Sequence, residues 1–271
     1  MDSPQFETLV LTLDECVALV ELNRPAKANS MSAAMWSDLD ACFRWCDSES
    51  AVRVVVLAAR GKHFCAGIDL QMFAALDDQQ LEAARRAEQR RNTIERLQAN
   101  LGAIERCRKP VLAAIQHTCI GGGVDMVSCC DMRYCTRDAY FSIKEIELGM
   151  VADVGTLQRL PRLIGDGLMR ELAYTGRRMN ADEAQQSGLV NRVYADREQM
   201  LGEVMTIART IASHSPLAIR GTKEVLLYGR DHSVEEGLRY IANWNAGMLS
   251  ADDLMRSVAA AGKREDLRFP D

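Results

Sequence analysis

A chain of 271 residues, 48% of them apolar and 26% charged, has the material for one large buried core, which excludes a disordered chain or a disulfide-stapled mini-protein. Its 33 basic and 38 acidic residues leave a net charge of −5, which argues against a nucleic-acid partner, because binding phosphates needs a basic surface. No run approaches the roughly 20 apolar residues of a membrane-spanning helix, so no membrane partner is expected either.

The first expected element is a hairpin, residues 9–13 and 17–20, turning at Asp14-Glu15 and ended by Arg24-Pro25. Ser30 offers an N-cap for a helix from about 32 to 46, with Met35, Leu39, Cys42 and Phe43 on one stripe. Residues 52–57 are apolar and β-branched, as in a strand buried on both faces. Residues 79–106 read as a long polar helix with Ile94, Leu97, Leu101 and Ile104 on its inner face. Its arginines at 85, 86, 90 and 91 alternate with Glu82, Glu88 and Glu95, the pattern of a solvated face.

Lys109-Pro110 ends that helix, and residues 111–115 form a second buried strand. Gly121-Gly122-Gly123 then opens a helix to about 130. A strand pair is expected at 132–135 and 140–143. Helical patterns run from 154 with a break at Pro161, through 168–174 and 181–187, to a short strand at 190–194. Beyond 197 only helices are expected, broken at Pro216. The alternation predicts an α/β core over 1–196 and a helical region over 197–271, with no linker between them.

Nine cysteines are an odd number with no C-x-x-C, and Cys129, Cys130 and Cys135 sit in apolar sequence where thiols pack as small hydrophobes. The histidines at 63, 117, 214 and 232 have no metal-ligand spacing, so no metal is expected. Neither the start, Met1-Asp2-Ser3-Pro4, nor the end, Arg268-Phe269-Pro270-Asp271, reads as a targeting signal. A cytoplasmic protein is therefore expected.

Two glycine-containing turns follow buried strands, one at 64–68 and one at 119–124. The second leads into a helix, whose free N–H groups and dipole would stabilise a carbonyl oxygen as it becomes an oxyanion. The same glycines would also serve simple close packing. Three acids stand near turns: Asp125, Glu145 and Asp153. Each has a purely structural use as well: Asp125 against the helix dipole, Glu145 as a solvent-facing strand end, Asp153 as an N-cap. Lys27 alone reads as an exposed turn lysine.

Together these features resemble the crotonase, or enoyl-CoA hydratase/isomerase, superfamily over nearly the whole chain. The resemblance rests on Leu22-Asn23-Arg24-Pro25 with Asn29, on Phe64-Cys65-Ala66-Gly67-Ile68-Asp69-Leu70, and on Lys109-Pro110-Val111 through Gly123. Gly176-Arg177-Arg178 and Glu183-Ala184 followed by Gly188-Leu189-Val190 complete it. The residue after Gln116, commonly glycine in that family, is His117 here.

The segment from Lys144 to Pro161 looks most like the 3,5-dienoyl-CoA to 2,4-dienoyl-CoA isomerases, whose acid triad matches Asp125, Glu145 and Asp153. Hydratases carry glutamates at the first two positions and usually lack the third acid. The resemblance implies a spiral of ββα units, trimers or dimers of trimers, and a fatty acyl-CoA substrate with no separate cofactor. It implies an oxyanion hole from the amides of Ile68 and Gly122, and CoA contacts from Lys27, Ala28, Ala66 and a neighbouring subunit's Lys223. Glu145 would serve carbon 2 and Asp153 carbon 6, or the reverse, with Asp125 tuning both. A 2-enoyl-CoA hydratase, and a catalytically idle acyl-CoA- or RNA-binding homologue, are the alternatives.

Overall fold

The hairpin forms one residue further along than expected. Strands β1 (Leu9–Asp14) and β2 (Val17–Leu22) pair antiparallel with Asp14 opposite Val17, so Glu15 and Cys16 make the turn. Both have positive φ, 46° and 65°, the type I′ geometry that matches the twist of flanking strands. The computed structural model describes residues 4–74, 82–260 and 269–271.

Helix α1 (Ala33–Ser48) is capped by Ser32, whose hydroxyl accepts the Met35 N–H at 3.4 Å. Ser30 cannot cap it. Met31 is held extended in a β-bridge with Ile68, and the Ser30 carbonyl accepts the Arg24 guanidinium. Next come β3 (Val54–Ala59), α2 (Gln71–Ala74) and α3 (Ala83–Arg106). Residues 79–81 of the expected long helix lie outside the described residues.

The middle of the chain repeats one unit: a strand of a large sheet, a short strand of a second sheet, then a helix. β4 (Val111–Ile115), β5 (Thr118–Ile120) and α4 (Gly122–Ser128) make one such unit. β6 (Met132–Thr136), β7 (Tyr140–Ser142), a 3-10 turn (Glu145–Leu148) and α5 (Thr156–Arg159) make the next. Then follow α6 (Pro161–Ile164), α7 (Asp166–Thr175), β8 (Met179–Asn180), α8 (Ala181–Gln186) and β9 (Arg192–Tyr194). The chain closes with α9 (Arg197–Ala212), α10 (Pro216–Tyr228), α11 (Val234–Met248) and α12 (Ala251–Ala259).

The large sheet has the order β1-β2-β3-β4-β6-β9 and is parallel from β2 onward; the second has the order β5-β7-β8. β6 and β7 therefore do not pair with each other as expected. Both edges of β6 are taken, by β4 and β9, which leaves β7 to add to β5. This is the ββα spiral that the resemblance implies.

Alternate residues of the central strands feed two cores, as the two-residue period of a strand requires. Val55, Leu57 and Ala59 face α1, while Val54, Val56 and Ala58 face Met200, Val204 and Ala208 of α9. Thus α9, expected to begin a helical appendage to the core at 197, covers the second face of the sheet. Without it the strand side chains of that face would meet water. Helices α11 and α12 differ, leaving Val234, Leu238, Met255 and Val258 exposed. Among the described residues, no helix is long and apolar enough to cross a membrane. The cysteines there are free thiols, all buried except Cys16.

Candidate active site

The two glycine turns meet because the second sheet continues into the first loop. Cys65 bridges Cys119, with its N–H donating to the Thr118 carbonyl at 2.9 Å and its carbonyl accepting the Ile120 N–H at 3.1 Å. From the other side, Ala66 N–H donates to Ala28 O and Met31 N–H donates to Gly67 O. Asn29, fully buried, ties this corner together. Its Nδ2 donates to the carbonyls of Arg60 and His63, and its Oδ1 accepts the Arg24 N–H. Arg24 in turn pairs with Asp69 at 3.1 Å.

Clamped this way, the loop leaves the amide of Ile68 without an acceptor among the described residues, and Gly122 begins α4 with the same freedom. The two amides lie close together: a Cβ placed on Gly122 would sit 3.7 Å from the Ile68 nitrogen, and one on Gly67 would sit 3.7 Å from the Gly122 nitrogen. Gly67 also needs φ of 86°, which a side chain would strain. Both amides open on a cavity of about 370 Å³, whose walls include Trp36, Ile94, Leu97 and Met150.

All three expected acids line that cavity. Asp125 is 1% exposed, and its Oδ1 accepts the Thr156 N–H at 2.7 Å. Burial raises its pKa to about 6 against the pull of the Thr156 hydrogen bonds. Glu145 starts the 3-10 turn, and its Oε2 is buried with no hydrogen-bond partner among the described residues. Burial first, and then the charge of Asp125, raise its pKa to about 7. Burial raises Asp153 as well.

Asp125 keeps its structural place in the first turn of α4, while the structural uses open to the other two acids fall away with the geometry. Glu145 is not a solvent-facing strand end. Asp153 does not cap the following helix, since Gly155 holds the cap position and Asp125 takes the Thr156 amide. Three carboxyls around two unsatisfied donors, in a largely apolar cavity, can hold a thioester oxygen while moving protons on the carbons beyond it.

The remaining expected residues divide. Lys27 is exposed at the end of a 3-10 turn beside Ala28, and Ala66 lines the cavity. Lys223 is a correction. It is 6% exposed, donating to the Lys109 carbonyl at 3.0 Å and the Asp131 carboxylate at 2.7 Å. Its charge is paired inside its own subunit, joining α10 to the start of β6. His117 takes φ of 51°, the conformation a glycine there would favour, and its Nδ1 lies 2.8 Å from Thr118 Oγ1 and 3.1 Å from His63 Nδ1. Thr156 was not singled out by sequence reasoning, because it serves through its backbone, which leaves no trace in residue type.

The enoyl-CoA hydratase/isomerase family profile matches residues 12–265. The chain is 47% identical over 262 residues to a mitochondrial Delta(3,5)-Delta(2,4)-dienoyl-CoA isomerase of Mus musculus, covering 96% of this chain and 80% of that one. It is 45% identical to a peroxisomal Delta(3,5)-Delta(2,4)-dienoyl-CoA isomerase of Arabidopsis thaliana, over 94% of this chain and 93% of that one. An enoyl-CoA hydratase from Bacillus anthracis superposes with a TM-score of 0.89 at 30% identity, over 97% of this chain and 99% of that one. The relatives named for mitochondria and peroxisomes overturn the expectation of a cytoplasmic protein. The chain belongs to the enoyl-CoA hydratase/isomerase family.

Proposed function

We propose that the protein converts 3,5-dienoyl-CoA to the conjugated 2,4-dienoyl-CoA, the reaction named for its mouse and Arabidopsis relatives. The observation that carries the reading is the third acid: Asp153 lines the cavity together with Asp125 and Glu145. Removing a proton from carbon 2 builds a trienolate, whose oxygen the Ile68 and Gly122 amides stabilise where water is scarce. Protonation at carbon 6 then completes the shift, leaving double bonds at carbons 2 and 4.

Glu145 is assigned to carbon 2. Its Oε1 would lie 3.3 Å from a Cβ on Gly121, which places the carboxylate beside the donors and so beside the thioester carbon. Asp153 is assigned to carbon 6. Asp125, bound to the Thr156 amide, tunes Glu145 by its charge. The CoA arrives as part of the substrate, with Lys27, Ala28 and Ala66 at its contacts and no separate cofactor. The exposed apolar residues of α11 and α12 support a trimer or a dimer of trimers.

Ultraviolet absorbance tests the reading. Given 3,5-dienoyl-CoA, the protein should produce the absorbance of a conjugated 2,4-dienoyl thioester. Loss of 2-enoyl-CoA absorbance in its place would make the protein a hydratase, and no change with either substrate would make it an idle binder.

A further inference from the structure

Asp153 is the one acid of the three that faces two cavities. Behind it lies an open polar cleft of about 530 Å³, lined by Asp153, Glu105, Ser128, Gln158, Arg159 and Arg230 among others. At about 30 Å³ per molecule that is room for on the order of a dozen waters or more. Asp153 and Val154 line both the cleft and the substrate cavity, and Gly155 lines the cleft. The stretch is held by Gln98 Nε2, which donates to the Asp153 carbonyl at 2.6 Å, and Arg159 is braced on Glu105 at 2.9 Å. Arg230 also pairs with Glu105. The cleft wall is therefore fixed and ionic, a surface that keeps water rather than excluding it.

The two proton-transferring acids differ in how they meet solvent. The Asp153 carboxylate takes a hydrogen bond from its own backbone N–H, and its oxygens are not among the buried, unpartnered atoms; Glu145 Oε2 is. Glu145 and Asp125 line the substrate cavity alone.

The reaction makes this difference matter, and the inference rests on the isomerase reading. In each turnover a C2–H bond breaks and its proton goes to Glu145, while a proton leaves Asp153 and a C6–H bond forms. The thioester carries no net change, but the enzyme is left with Glu145 protonated and Asp153 ionised. Both must be reset before the next turnover. We propose that the polar cleft is a proton entry route, through which solvent water recharges Asp153 from behind the substrate. The proton on Glu145 leaves through the substrate cavity as product departs. The rival is an internal shuttle, in which the proton taken from carbon 2 passes from Glu145 to Asp153 and is delivered to carbon 6.

A substrate deuterated at both carbon-2 positions separates the routes in ordinary water. Recharging from the cleft puts protium at carbon 6 of the conjugated product, read by mass spectrometry and NMR. The internal shuttle puts substrate deuterium there. To place the entry at the cleft, Gln158, exposed on its lining, is changed to Trp to obstruct it, with Gln158→Leu as a milder variant. The expected result is a steady-state rate lowered at least tenfold in Gln158→Trp with KM nearly unchanged, and deuterium now appearing at carbon 6. Substrate deuterium at carbon 6 in the wild type would overturn the proposal, as would folded Gln158 variants with wild-type rate and labelling. A wild type that forms no conjugated product at all would instead bring down the isomerase reading on which the route depends.

Discussion

Asp125 and Glu145 are carboxyls placed where a charge is costly, and both respond by holding protons into the neutral range, to about 6 and about 7. The isomerisation needs one proton on the Glu145–Asp153 pair, free to be given at one carbon while the other carboxylate receives. Burial raises both members of the pair, so kcat/KM should fall, by up to about tenfold per pH unit, once pH passes the point where the pair gives up its last proton. Asp125→Asn keeps an oxygen for the Thr156 amide but removes the charge that raises Glu145. The basic limb should then move to lower pH, with less loss of rate than at the other two acids. A pH profile unmoved by Asp125→Asn would show that the two carboxyls are not coupled.

The same burial has a consequence for stability. The folded pKa of Glu145 is raised above its ordinary 4.5, so its favourable contribution is complete only below that value and is lost as pH rises through about 7. Glu145→Gln should thus be more stable than wild type at pH 8, by roughly 2–3 kcal/mol, and the gain should vanish toward pH 5. Thermal melts at the two pH values check this. Equal melting temperatures at pH 8 would mean that the carboxyl is not held in a dry site.

At the scale of elements, the oxyanion donors depend on how closely α4 approaches the 64–69 loop. A Cβ on Gly123 would fall 2.9 Å from the Cys65 Cβ and 3.2 Å from the Cys65 carbonyl, so helix or loop must withdraw. Gly123→Ala should keep the fold at a cost of about 1–3 kcal/mol yet lower kcat by about 10²–10³, because both amides lose their aim. Wild-type kcat in a folded Gly123→Ala would remove this packing from the account.

The sequence disclosed these elements unevenly, for physical reasons. Buried strands such as residues 54–59 are legible because burial on both faces demands an apolar, β-branched run. Strands β5 and β8, of three and two residues, carry no period to detect and were missed. The cap of α1 was misplaced by two residues because Ser30 and Ser32 are equal on composition. Only the Met31–Ile68 bridge, a contact between distant residues, decides between them. The acids and the glycine turns were legible as residue types. That Asp125, and not Asp153, takes the Thr156 amide is a matter of tertiary geometry, as is the burial of Lys223.

At the scale of the whole molecule, the sheet has both faces covered within one chain, by α1 and by α9, while α11 and α12 do not complete a core of their own. Val234 is 82% exposed and Leu238 63%, values that an isolated chain has no reason to keep on a helix. Sedimentation at micromolar concentration should therefore give three or six chains. Replacing Val234 and Leu238 together by Asp should shift it toward the monomer. A wild type that sediments as one chain would leave these faces unexplained and the trimer without support.

The central claim is that Asp153 moves a proton to carbon 6 and does nothing that a neutral amide could do in its place. Dienoyl-CoA turnover by Asp153→Asn, followed as the growth of conjugated-diene absorbance, tests it most directly. The account predicts a folded, acyl-CoA-binding protein that has lost on the order of 10²–10⁴-fold or more of its turnover. Wild-type turnover in that variant, with unchanged thermal stability, would contradict it.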